Sequence, residues 1–179
     1  NGCRLGLFVV EHMPFISLNQ ELLQFIQVTL NYYADAVNTS SNVQGMLRHF
    51  QDCPYLFASE FMHLDRIYRE SGISSTLVAL VFEKNDRQQD LFAETMRVRR
   101  QLDVVWAIQQ PDHFVLLTLM PLYNQRVVTG YLMRLEQHFL HQFNAKSLDD
   151  AGVVAHSVTI GTRDPHDLLR TILSQCHVD

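Results

Sequence analysis

Apolar residues follow two different spacings along this chain, and the switch from one to the other marks out its elements. Residues 4–10, Arg-Leu-Gly-Leu-Phe-Val-Val, read as a short buried strand. Leu22, Leu23, Ile26, Leu30, Tyr33, Ala34 and Val37 then recur at three and four residues, which predicts a helix with one apolar face. Ser17, with Gln20 three residues on, predicts a capping box at its start. Phe57, Phe61, Leu64 and Tyr68 form a second helical stripe, stopped by Ser71-Gly72. Residues 76–82 are an unbroken apolar run and predict a central strand, and residues 90–100 read as a helix. Residues 104–108 and 114–119 are two strands separated by Gln109-Gln-Pro-Asp-His113, a hairpin. Residues 124–143 predict a long helix with Val128, Leu132, Leu135 and Phe139 on one side. A polar loop with Asp149, Asp150 and Gly152 leads to a strand at 153–160, and Asp164-Pro165 has the cap and first-turn chemistry of a last helix.

One strand and one helix cannot bury a core by themselves. Residues 1–37 therefore either pack on the rest of the chain or, the reading preferred here, end a domain that begins upstream. Residues 38–53, with Asn-Thr-Ser-Ser-Asn, Gly45 and Asp52-Cys53-Pro54, predict a linker. Residues 54–179 form the second unit. Helices interleaved around a sheet that contains a hairpin indicate an α+β fold and not a doubly wound parallel sheet.

Composition narrows the function. Of 179 residues, 47% are hydrophobic and 18% charged, enough apolar surface for a packed core and too much for a disordered chain. A net charge of −5 excludes a general DNA or RNA binder. Three widely spaced cysteines, Cys3, Cys53 and Cys176, fit a reducing compartment better than a disulfide framework. No apolar run approaches the roughly 20 residues of a membrane span, so the visible piece is expected to be soluble and cytoplasmic. The basic residues divide oddly, 12 Arg against Lys84 and Lys146 alone. Forked guanidinium groups suit carboxylate and phosphate recognition, although an Arg-rich codon bias produces the same count.

Catalytic motifs are scarce. There is no Ser-His-Asp or Cys-His arrangement and no G-x-x-x-x-G-K loop. His138 and His141 have a spacing able to hold a metal, but the sequence offers no third ligand near them and reads as a surface pair. Trp106, on a strand between Val105 and Ala107, reads as core. An Arg-x-x-Asp tetrapeptide occurs twice, at Arg87-Gln-Gln-Asp90 and at Arg100-Gln-Leu-Asp103 just before the hairpin. By themselves these residues fit an exposed ion pair worth ~0–1 kcal/mol.

The element order, the Arg100-x-x-Asp103 tetrapeptide ahead of the hairpin, and the Ser157-Val-Thr-Ile-Gly161 strand together resemble the GGDEF domain of diguanylate cyclases. The upstream segment, Leu5-Gly-Leu-Phe-Val-Val through Met13-Pro-Phe to Tyr33-Ala-Asp35, is similar to the last strand and helix of a GAF domain. A GAF domain followed by a degenerate GGDEF domain is the arrangement of PelD-type cyclic-di-GMP receptors. The resemblance implies a central, mostly antiparallel sheet flanked by helices. The spacing of the signature turn matches while its residues do not: Gln109 and Gln110 replace the two glycines that let backbone approach phosphates. Glu83 and Asp112 stand near the positions of metal-binding carboxylates, yet the Asp-x-Phe-Lys piece after the first strand is missing. They read as solvated polar groups, with a metal remnant as the alternative.

The family's inhibitory site implies that Arg100 and Asp103 bind cyclic-di-GMP, Arg gripping phosphate and a guanine edge while Asp accepts from guanine N–H groups. PelD-type receptors carry a further arginine on the helix after the hairpin, which here is Arg134. Arg97 and Arg99 crowd the same approach. The expected activity is ligand binding without catalysis, with no metal and no cofactor. The implied setting is the cytoplasmic face of the bacterial inner membrane, regulating Pel-type exopolysaccharide biosynthesis through membrane polysaccharide synthase components. A homodimer is among the arrangements it allows. The rivals are a divergent nucleotide cyclase or phosphotransferase using Glu83 and Asp112, and a ligand-free dimerisation scaffold using the 18–37 helix.

Overall fold

In this computed structural model the described residues are 9, 11, 19–100 and 103–178. The expected strand at 4–10, apart from Val9, lies outside them, as do the cap at Ser17 and Cys3. The chain continues as α1 (Gln20–His49), α2 (Tyr55–Ser71), β1 (Thr76–Glu83), α3 (Gln88–Val98), β2 (Val104–Gln109), β3 (His113–Met120), α4 (Gln125–Phe143), β4 (Val153–Thr159) and α5 (Pro165–Gln175). The strands form one sheet in the order β2-β3-β1-β4. Every neighbouring pair is antiparallel, with Leu80 opposite Leu116 on one side of β1 and Ala155 on the other. The expected α+β fold, a central antiparallel sheet flanked by helices, is what the structure has.

β1 explains the architecture. Its side chains alternate between two faces, yet all of its residues but Glu83 are buried, because helices cover both faces. Leu77, Ala79 and Val81 pack with Phe57, Phe61, Trp106, Leu169 and Ile172, under α2, α5 and the end of α1. Val78, Leu80 and Phe82 pack with Leu91, Val128, Leu135 and Phe139, under α3 and α4. Trp106 is core, edge-on to Phe57 with ring centroids 5.6 Å apart. The two described cysteines, Cys53 and Cys176, are free and buried, and burial pushes their thiols up to about 12 and about 11.

Local signals place most of the ends. Gly72 closes α2 in the left-handed conformation at φ 70°. Asn124 caps α4 through two backbone N–H groups, and Asp164 caps α5 with Pro165 in its first turn. Two expectations at α1 are corrected. Its cap is Asn19, whose Oδ1 accepts from Leu22 N–H at 2.8 Å. The stretch read as a linker is helical through His49. Val43 and Met46, three residues apart, are fully buried against α2, and that burial outweighs the poor helix propensity of the polar run 38–42. Earlier in α1 the expected apolar face stays largely uncovered among the described residues, with Leu23 51% and Tyr33 63% exposed.

After β4 the chain turns back toward α5 at Gly161, whose φ is 91°. A Cβ there would come within 2.6 Å of Tyr68 Cβ on α2 and nearer still to its ring. Gly161→Ala combines a left-handed penalty with a collision against a packed helix, so a loss of about 2–4 kcal/mol is expected in chemical denaturation.

Candidate functional site

The site begins where α3 ends. Past Val98 the chain reaches a turn whose hydrogen-bonded ends are Arg100 and Asp103, just before β2. Asp103 closes the turn: its Oδ2 accepts from the backbone N–H of Arg100 at 3.2 Å, and its own N–H donates to the Arg100 carbonyl at 3.2 Å. Arg99 adds a longer bond from its guanidinium to the Asp103 carbonyl, 3.5 Å. Asp103 is only 6% exposed. Burial raises its carboxyl above the usual carboxylate range, opposed by the Arg100 N–H bond and then by the charges of Arg100 and Arg99.

The Arg100 guanidinium points elsewhere, its carbon 5.0 Å from the centre of the Tyr123 ring. No carboxylate among the described residues pairs with it. Tyr123 is in turn held by β1. Thr76 Oγ1 donates to the Tyr123 carbonyl at 2.6 Å, and Ser75 Oγ accepts from Leu122 N–H at 3.1 Å. The second bond secures Leu122 in a left-handed conformation, φ 62°, unusual for a branched residue.

The far wall is α4. Tyr131 is buried there and its phenol is pushed up to about 12, first by burial and then by the negative charge of Asp103, with Arg134 opposing. Tyr131 therefore lies within electrostatic reach of both Asp103 and Arg134, and Arg134 itself is exposed. The structure thus brings Arg100, Asp103 and Arg134 to one side of the molecule, around two tyrosines that sequence reasoning missed. Tyr131, three residues before Arg134, was findable by helical spacing; nothing in the sequence announces Tyr123.

The other candidates separate. Arg97 is engaged with Glu94, Nε to Oε2 at 2.9 Å, and does not serve the turn. His138 Nε2 bonds the same Glu94, so the histidine pair is split, His138 joining α4 to α3 while His141 is exposed. The acidic partner that the sequence seemed to deny His138 is present, on another helix. Arg87, from the second tetrapeptide, donates to the Phe143 carbonyl at 2.7 Å and braces the end of α4. Glu83 is exposed, and Asp112 is an exposed partner of Lys84 at 3.8 Å. No cluster of three potential metal ligands occurs among the described residues. A groove of about 430 Å³ remains at this end of β1, lined by Glu83, Lys84, Asp86, Asp149 and Asp150 among others. Asn85 spans it, donating to the carbonyls of Glu83 and Ala151 at 3.2 and 3.3 Å.

Residues 51–176 match the family model described as the PelD GGDEF domain. The chain belongs to the PelD GGDEF domain family. Among solved structures it is similar to a PelD fragment from Pseudomonas aeruginosa PAO1 in complex with c-di-GMP, at 21% identity and a TM-score of 0.59. That match covers 96% of this chain and 60% of the other. It is also similar to PelD from Pseudomonas aeruginosa PA14 in complex with c-di-GMP, at 21% identity and a TM-score of 0.58, covering 95% of this chain and 58% of the other. The chain thus spans about 60% of the length of these PelD structures. At that identity the likeness establishes a shared fold. No curated protein matches the chain. Among the described residues no helix is long and apolar enough to cross a membrane.

In this PelD GGDEF domain, ionised Asp103 is a cost to folding. A carboxyl raised in the folded state contributes stability below its unfolded pKa, and that stability is lost as pH rises through the folded value. Asp103→Asn keeps an acceptor for the Arg100 N–H and removes the buried charge. The variant should melt higher than wild type at pH 7, and the gap should close as pH falls below the carboxylate range, read by thermal denaturation across pH.

Proposed function

We propose that this chain is a receptor module that binds cyclic-di-GMP at Arg100 and Asp103, with Arg134 as a further phosphate contact, and that it lacks cyclase activity. Its expected output is control of Pel-type exopolysaccharide synthesis, at the cytoplasmic face of the inner membrane and through synthase components there. Family membership and the likeness to c-di-GMP-bound PelD structures support the ligand class. The observation that carries the site is the pair Arg100 and Asp103: a buried carboxylate beside a guanidinium that, among the described residues, rests on an aromatic ring.

Magnitudes favour exchange. An exposed cation–π contact is worth about 0.5–1 kcal/mol, while a hydrogen bond to a charged group contributes about 1.5–3. A phosphate or a guanine edge can therefore draw Arg100 off Tyr123 with free energy to spare. Asp103, already desolvated, gains in the guanine N–H groups donor partners that the turn alone does not supply.

The loss of catalysis rests on the other end of the hairpin. Cyclisation of a nucleoside triphosphate needs backbone close to the phosphates and metal-binding carboxylates beside them. Gln109 and Gln110 crowd the first requirement. The carboxylates fare no better, since Asp112 faces Lys84 at 3.8 Å and Glu83 is turned to solvent.

Calorimetric titration with cyclic-di-GMP tests the reading. Arg100→Ala should weaken binding about 10–100-fold, the loss of one or two charge-assisted bonds. Arg87→Ala, in the other tetrapeptide, should bind as wild type; equal affinity of Arg100→Ala and wild type would overturn the site. Incubation with GTP and Mg²⁺ should give no cyclic product, and turnover abolished by Asp112→Ala would restore the enzyme reading.

A further inference from the structure

One residue on α4 breaks a local rule without return inside the protein. Gly130 lies mid-helix, where glycine is the poorest ordinary helix former because it has the most backbone freedom to lose. Its position is exposed, its φ is helical, and a Cβ built there meets nothing within 4 Å. No turn, close approach or packing contact among the described residues requires it, and alanine would fit at no steric cost.

Its neighbours suggest what does require it. Residues three and four apart share a side of a helix, so Val127, Gly130, Arg134 and His138 follow one another along one flank of α4. His138 fixes where that flank faces, since it bonds Glu94 on α3. At the other end Tyr123, just before the helix, carries Arg100. Tyr131, on the inner edge of the same flank, feels the charge of Asp103. The strip from Val127 to Gly130 therefore lies along the chain between Tyr123, which carries Arg100, and Arg134. It is low and apolar: Val127 is 39% exposed, and Gly130 has no side chain at all.

We propose that Val127 and Gly130 form the floor on which a purine base of the bound dinucleotide lies, with Gly130 bare so that the base can approach the helix. This rests on the cyclic-di-GMP reading of the site and adds a residue that decides which ligands enter it. A flat aromatic ring stacks well on a low apolar surface, and a guanidinium at each end reaches the phosphates at its rim. The glycine lowers helix stability and keeps the floor open, as expected where function overrides local propensity.

The test separates stability from affinity. Gly130→Ala and Gly130→Leu are made in the full chain beside Arg100→Ala, and each is melted, titrated with cyclic-di-GMP and sized by sedimentation. Gly130→Ala should melt about 1–4 °C higher than wild type and bind more weakly. Gly130→Leu should remain folded and lose about 10–100-fold or more in affinity, as a branched side chain fills the floor. Wild-type affinity in Gly130→Leu, with Arg100→Ala still impaired, overturns the floor and leaves the tetrapeptide site standing. No binding by wild type overturns both. A shift from dimer to monomer in Gly130→Leu at unchanged affinity assigns the bare helix face to a second copy of the chain and also overturns the floor.

Discussion

β1 is covered on both faces and bonded on both edges, and the rest of the molecule is arranged around that double burial. A strand with one wet face could slip by two residues at moderate cost; one whose every inward position is apolar on two sides has no such freedom. The register with β3 and β4 is thereby set, and with it the height of the hairpin relative to the helices. The first residue of the same strand, Thr76, holds the carbonyl of Tyr123, and its neighbour Ser75 holds the amide before it. A core constraint is thus passed by two hydrogen bonds to the ring on which Arg100 rests. At the opposite end of β1 the Glu83 N–H donates to the Gly152 carbonyl, beside the degenerate turn. One strand positions both the candidate binding surface and the hairpin turn that carries Gln109 and Gln110.

The signals legible in the sequence were those carried by neighbours along the chain. Periodicity located the strands and most helices, Gly72 and Asp164-Pro165 marked their ends, and the unbroken apolar run of 76–82 identified the central strand. What the sequence hid depends on partners far away in it. The polar run 38–42 looks like a linker until Val43 and Met46 are seen buried on α2. His138 looked unpartnered because Glu94, 44 residues earlier, faces it only once α3 and α4 pack on the sheet. The tetrapeptide at 100–103 was separable from its twin at 87–90 by position alone. The structure adds a physical distinction, since Arg87 is occupied with a helix end while Arg100 is held by a ring.

That distinction also changes the meaning of the arginine excess. Four arginines, at 97, 99, 100 and 134, crowd the approach to the hairpin in sequence, but the fold gives them different duties. Arg97 neutralises Glu94, within the contact that joins α3 to α4, and Arg99 reaches a carbonyl of the turn. Arg100 rests on the ring just before α4, and Arg134 follows Gly130 by one turn of that helix. Two aimed guanidinium groups suit a doubly charged small ligand, because each forms forked bonds without raising the net charge of an acidic domain.

The proposed site would be kept ready by the same surface. Asp103 is buried before any ligand arrives, so its desolvation is met during folding and not again on binding. Arg100 rests on Tyr123, a contact strong enough to order the side chain and weak enough to surrender it. Gly130 leaves open the ground between the arginines. Each feature lowers the stability of the isolated domain or leaves stability unused, and each lowers what association must later supply. A surface shaped only for folding would have paired Arg100 with a carboxylate, replaced Asp103 by Asn and filled position 130 with alanine.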